Sequence, residues 1–206
     1  IAVVNGNLLF TGAGEVVAEC RQRYANVTGE WFFDVKRLRE IEELLAPFHF
    51  RVAQVHPFYL PGANVMLSSD ISSPELSKTH TFDLVRYDQN AILKFRGDNR
   101  FDEAFAFDPD APDVLGIAAV KDGEILGMAG ASADSPLFWQ IGINVNPSAV
   151  GAHVGSTLVR LLAQDIIAHG AIPYYGTGMS HIASQRVAHR AGFVVAWAEL
   201  VTEEIK

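Results

Sequence analysis

Residues 137 to 168 hold the pattern that most narrows what this chain can fold into. LFWQIGINV is followed by NPSAVGAHVGS and then by a stretch carrying Leu158, Leu161, Leu162 and Ile166. In the first piece Leu137, Trp139, Ile141, Ile143 and Val145 alternate with Phe138, Gln140, Gly142 and Asn144. A period of two places the five odd-numbered apolar residues on one face of a strand. In the third piece the spacing matches a helix with one apolar stripe, closed by Gly170 and Pro173. Two apolar faces joined by so short a loop bury each other, which requires a sheet packed by helices.

The neighbouring segments extend this pattern. VLGIAAV, the turn KDGE and ILGMAGAS predict an apolar hairpin turning at Asp122-Gly123. IPYYGTG, SHIASQRVAHRAG and FVVAWAELV predict a further strand, helix and strand. The class is therefore α/β, with a mixed sheet. Upstream, Asn5-Gly6 lies between two apolar runs and predicts a second tight hairpin. Val16, Cys20 and Tyr24 recur at a spacing of four. Asp34 is a candidate cap for a helix carrying Val35, Leu38, Ile41 and Leu45, stopped by Pro47. Residues 51 to 67 alternate around Pro57 and Pro61 and predict one or two short strands. SSDISSPELSKTH, residues 68 to 80, has linker composition. After it come a short strand near Phe82 to Val85 and helical pieces within residues 88 to 107. The expected division is an N-terminal α/β region, 1–80, and a second domain, 81–206.

Composition excludes several classes. Of 206 residues, 49% are hydrophobic and 19% charged, which is incompatible with disorder. Lys+Arg number 16 against 24 Asp+Glu, so the basic face of a nucleic-acid binder is missing. Cys20 stands alone, and the seven histidines form no HxH or HxxxH pair, so no disulfide and no metal site is expected. Apolar runs are too short for a bilayer and nothing at the start reads as a signal peptide, so no membrane association and a cytoplasmic location are expected. Up to Asp113 there are 11 basic and 17 acidic residues; afterwards there are 5 and 7.

The chemistry is expected at the junction from Val145 to Thr157. Exposed N–H groups at a helix N-terminus, with glycines that admit a ligand to the backbone, form a phosphate cradle. An ordinary tight strand-to-helix loop is the simpler alternative. A P-loop would need Lys where Ser156 stands, a dinucleotide fingerprint would need more than the spacing Gly151 to Gly155, and G-x-S-x-G is absent.

From the hairpin through WQIGINVNP, the glycine loop, PYYGTG and SxxASxxVAxxAGF, the chain resembles the GNAT superfamily of N-acetyltransferases over roughly residues 82 to 206, within a bacterial subgroup with an extra N-terminal region. The resemblance implies that acetyl-CoA is the co-substrate, held by Ile143, Val145, Val150, Gly151, Ala152, His153, Val154, Gly155, Ser156, His181 and Ser184. Gly192-Phe193 fits the usual end of the family's later helix. Val150 replaces the usual Arg or Gln and His153 the first signature glycine, so the loop has no fixed positive charge and modest cofactor affinity is expected. His181 stands where Asn is common. Ala188 stands where many members have a Tyr that protonates the leaving thiolate.

The implied reaction transfers acetyl to a primary amine of a small molecule or peptide, by direct attack in a ternary complex. An alkylamine is neutral in only one part in about 2,500 at pH 7, so a base is needed. Asp134 is the nearest carboxylate to the strand, with bound water as the alternative. A backbone N–H near Val145 would hold the oxyanion. Asn144 would orient water or the pantetheine arm, or merely satisfy backbone groups. Tyr174 or Tyr175 would supply the acid, or line the pocket. The run Asp102, Glu103, Asp108, Asp110, Asp113 reads as solvated surface, although in this fold the segment ahead of the hairpin borders the acceptor site. Its acidity favours a cationic amine. Residues 1–80 fit a lid, a homodimer surface or a stabilising subdomain. The rival reading is an inactive CoA-binding sensor or interaction module.

Overall fold

The computed structural model describes residues 1–66, 82–151 and 153–205, so the expected linker and Ala152 lie outside the described residues. Nine strands and six α-helices are described. They form two compact units. One comprises 1–58, 177–181 and 195–206, and the other 59–176 and 182–194.

In the larger unit β4 (Asp83–Asp88), β5 (Asp113–Lys121), β6 (Glu124–Ser132) and β7 (Phe138–Val145) pair antiparallel in sequence, and β8 (Ile172–Gly176) joins β7 in parallel. Asp122 and Gly123 turn the predicted hairpin with φ of 51° and 82°, the left-handed pair that a two-residue loop needs. Helix α5 (Val154–Ala168) covers one sheet face, and α6 (Ile182–Ala191) packs beside it. Leu158, Leu162 and Ile166 are fully buried there with Ile117, Ala129 and Ile141. Each such side chain contributes about 1.5–3 kcal/mol by leaving water. The opposite face is covered by the chain between β4 and β5, where α4 (Gln89–Ile92) and 3-10 turns at Leu93–Phe95 and Asn99–Phe101 carry Phe95, Phe101 and Phe105 onto Ala118 and Met128. A short helix, α3 (Ala63–Met66), also belongs to this unit.

The acidic run at the end of that covering segment departs from expectation at Asp113, which is buried rather than solvated. Its Oδ2 accepts the N–H of Phe107 at 2.8 Å, and Phe107 has a φ of 52°. Burial pushes the carboxyl above its usual range, and hydrogen bonds from Phe107 and Ala106 offset part of that.

In the smaller unit β1 (Ala2–Val4) and β2 (Asn7–Leu9) form the predicted hairpin, with left-handed Asn5 and Gly6. The strand order is β2, β1, β9 (Phe193–Glu204), β3 (Phe50–Pro61), with β9 entering from Val195 and β3 leaving at Phe58. Helices α1 (Gly14–Arg23) and α2 (Val35–Leu45) supply Cys20, Ile41, Leu44 and Leu45 to its core. Asp34 caps α2 by accepting the Arg37 N–H at 2.7 Å. In place of one or two short strands near Pro57, a single twelve-residue strand runs through it. Proline fixes φ and removes a donor but leaves its acceptor, and the Pro57 carbonyl accepts from the Thr177 N–H at 3.4 Å.

Candidate active site

The backbone of β7 is open along part of one edge. The Asn146 N–H donates to Leu126 O on the β6 side at 2.8 Å, and strand alternation turns Ile143 and Val145 the other way, toward β8. The β7–β8 register runs through Phe138–Ile172 and Trp139–Pro173 to Gln140–Tyr174 and stops, although both strands continue. Among the described residues, Ile143 and Val145 therefore have no ladder partner on the β8 side.

The same strand leads into the expected cradle. Asn146 Oδ1 accepts both the N–H and the hydroxyl of Ser148, and Pro147–Ala149 form a 3-10 turn. Gly151 (φ 92°) and His153 (φ 59°) then reverse the chain into α5. No side chain caps that helix; Ser156 Oγ donates to the His153 carbonyl rather than to an incoming group. Val154 is buried, whereas Val150 and His153 are exposed. The two glycines differ in purpose. Gly151 permits a left-handed turn, while a Cβ on Gly155 would lie 3.1 Å from Val145 and 3.4 Å from Val187, so Gly155 sets how closely α5 approaches β7 and α6.

Tyr175 and Ser184 are brought together: their hydroxyls are 2.7 Å apart, with Tyr175 buried against Tyr59 and Phe193. Burial pushes the Tyr175 hydroxyl above its usual range, the Ser184 bond pulls it down, and the negative charge of Glu103 raises it again. Ala188 is fully buried on α6. His181 belongs to the smaller unit, exposed, with its N–H on the Gly178 carbonyl.

Tyr174 and Asp134 also meet. The Tyr174 hydroxyl bonds to Asp134 and lies 3.1 Å from Gln140 Oε1, and Ser132 donates to Asp134 Oδ1 at 2.7 Å. Asn144 grips the segment before β5. Its Oδ1 accepts the N–H groups of Glu103 (3.1 Å) and Ala104 (2.8 Å), and its Nδ2 donates to Asp102 at 3.1 Å.

Sequence reasoning missed what lies beneath that grip. Gly116, Gly130 and Gly142 stand in register across β5, β6 and β7. A Cβ would fall 1.9 Å from Ala104 O at Gly130, 1.8 Å from Glu103 O at Gly142, and 2.8 Å from Phe105 at Gly116. The three glycines make a trough into which the backbone of 103–105 descends. The signal was present in LGI, AGA and IGI, a central glycine in each of three consecutive strands.

The smaller unit holds an open cavity of about 590 Å³ between β2 and the end of α1, lined by Leu8, Phe10, Arg21 and Tyr24 among others. None of the expected site residues lines it. Among the described residues no helix is long and apolar enough to cross a membrane, and no group of three His, Cys, Asp or Glu is placed to hold a metal ion.

The family model described as Acetyltransferase (GNAT) family matches residues 79–193, more than half the chain. A GCN5-related N-acetyltransferase-like protein from Streptococcus suis 89/1591 is similar in structure, with a TM-score of 0.54 at 15% identity over 83% of this chain and 68% of that one. A GCN5-related N-acetyltransferase from Kribbella flavida gives 0.53 at 14% identity, over 80% of this chain and 63% of the other. A tandem GNAT protein from the clavulanic acid biosynthesis pathway gives 0.54 at 12%, over 80% and 58%. At these identities the likeness establishes the fold. No curated protein matches in sequence. The open edge of β7, the uncapped helix after it and the matched span lead to one conclusion: the chain belongs to the GNAT family of acetyltransferases.

Proposed function

We propose that the protein transfers acetyl from acetyl-CoA to a primary amine of a small molecule or peptide, by direct attack in a ternary complex. The separation of β7 from β8 after Gln140 and Tyr174, ending at the uncapped start of α5, carries this reading. The pantetheine arm pairs with the open N–H and C=O groups of Ile143 and Val145. Backbone N–H groups of Gly151 and of His153 to Ser156 would hold the pyrophosphate, favoured by the helix dipole. As the carbonyl is attacked, a backbone N–H on the open edge near Val145 holds the developing oxyanion. Tyr175 retains its proton and, with Ser184 as its hydrogen-bond partner, returns one to the departing thiolate.

Ligand bound to the folded state raises its melting temperature. Acetyl-CoA and CoA are expected to do so, and NADPH is not. Thiol release is then expected with at least one member of a panel of polyamines, amino acids and aminoglycosides. No response to either CoA species contradicts the reading. Binding with no turnover on any amine points to a CoA-binding sensor.

A further inference from the structure

Segment 102–105 is held against the sheet by burial and by hydrogen bonds. Ala104 and Phe105 are buried anchors, and the glycine trough lets the Glu103 and Ala104 carbonyls sink to where side chains would otherwise stand. Asn144 engages the segment through both atoms of its amide, with three hydrogen bonds. Glu103 itself is exposed, and among the described residues its carboxylate accepts no hydrogen bond. Its backbone is thereby fixed over Gly142, next to Ile143, where the edge of β7 opens.

We infer that Glu103 is the general base that deprotonates the acceptor ammonium, and that Asn144 is the positioning residue that holds it there; this rests on the acetyl-transfer reading above. Gln140, Gly142 and Asn144 share the face of β7 opposite α5, and none can take up a proton at neutral pH. The segment lying over them carries two carboxylates, and that of Asp102 already accepts from Asn144 Nδ2. Asp134 fits less well, because Ser132 and Tyr174 occupy one carboxylate oxygen each. The charge of Glu103 also reaches the Tyr175 hydroxyl on β8, adding to the burial that holds that proton. Asp102 flanks Glu103 on its own segment, and the Tyr175 hydroxyl feels its charge.

The ammonium gives one proton to Glu103, and the neutral amine forms a C–N bond to the thioester carbonyl carbon. The tetrahedral intermediate breaks its C–S bond, and the nitrogen's second proton is lost as the thiolate gains one. Glu103 releases its proton to solvent, leaving amide, CoA thiol and H⁺.

The test measures kcat/KM against pH with spermidine, a lysine ester and an aminoglycoside as probes, for the native protein, Glu103→Gln, Glu103→Asp and Asn144→Ala. Glu103→Gln is expected to lower kcat/KM roughly 100-fold or more at pH 7 with unchanged acetyl-CoA affinity and melting temperature. The deficit should shrink as pH rises and the amine loses its proton unaided, Glu103→Asp should recover part of the rate, and Asn144→Ala should fall between. Native turnover with Glu103→Gln equal to it at every pH overturns the assignment of Glu103 alone. A native protein that turns over none of the probes overturns this inference together with amine acetylation.

Discussion

The two faces of β7 are built on opposite terms. Ile141, Ile143 and Val145 on one face meet side chains of α5 and its neighbours in an interdigitated core. On the other, Gly142 meets the carbonyl of Glu103 directly, and Asn144 replaces apolar contact with hydrogen bonds. The first arrangement tolerates small shifts, because side chains repack. The second does not, since backbone against backbone has no rotamer to change. The same strand thus has an adaptable face for stability and a fixed face for placing a carboxylate.

This contrast can be broken by substitution. Leu158→Ala, on the adaptable side, is expected to cost about 3–5 kcal/mol through lost burial and a cavity, measured by urea unfolding, with kcat nearly unchanged well below the melting temperature. Gly142→Ala adds a methyl where the Glu103 carbonyl lies; it is expected to cost about 1–3 kcal/mol or more and, unlike Leu158→Ala, to remove turnover while the protein is still folded. If both variants keep normal kcat, the distinction between the faces fails.

Asp113→Ala removes the acceptor for the Phe107 N–H and is expected to cost about 1–3 kcal/mol. Asp113→Asn keeps an acceptor and drops the charge. A raised carboxyl makes the charged form unfavourable above its folded pKa, so the native protein gains stability as pH falls through that value. Asp113→Asn should therefore be at least as stable as native at pH 7, and the difference should vanish below the ordinary carboxylate range, as read from melting temperature against pH. The smallest effect is expected in the cradle. Val150→Arg should tighten acetyl-CoA binding by about 0.2–1 kcal/mol, and calorimetry at rising salt should erase the gain.

The sequence made the adaptable face legible and left the fixed one obscure, for a physical reason. Alternating apolar residues in LFWQIGINV announce a buried strand face, and the leucines of α5 announce what covers it, because apolar side chains leave a period. Asn5-Gly6, Asp122-Gly123 and the Asp34 cap were legible for a similar reason: each meets a local backbone demand with a side chain suited to it. The trough is made of missing side chains, and the register joining Gly116, Gly130 and Gly142 comes from pairing across about 25 residues of chain. Asp113 and Glu103 fall in one acidic run, yet one is buried and the other exposed, a difference set by tertiary packing that composition does not encode. At the site, Tyr175 with Ser184 and Tyr174 with Asp134 were named singly from the sequence, and only the fold pairs them.

Hydrogen exchange of individual backbone amides, with and without saturating acetyl-CoA, tests the central claim most directly. The account predicts marked slowing at Ile143 and Val145 and at the first residues of α5, with little change at Glu103 and Ala104, whose N–H groups already bond to Asn144. Unchanged exchange at Ile143 and Val145 at saturation, or protection confined to the cavity beside β2 and Tyr24, would contradict it.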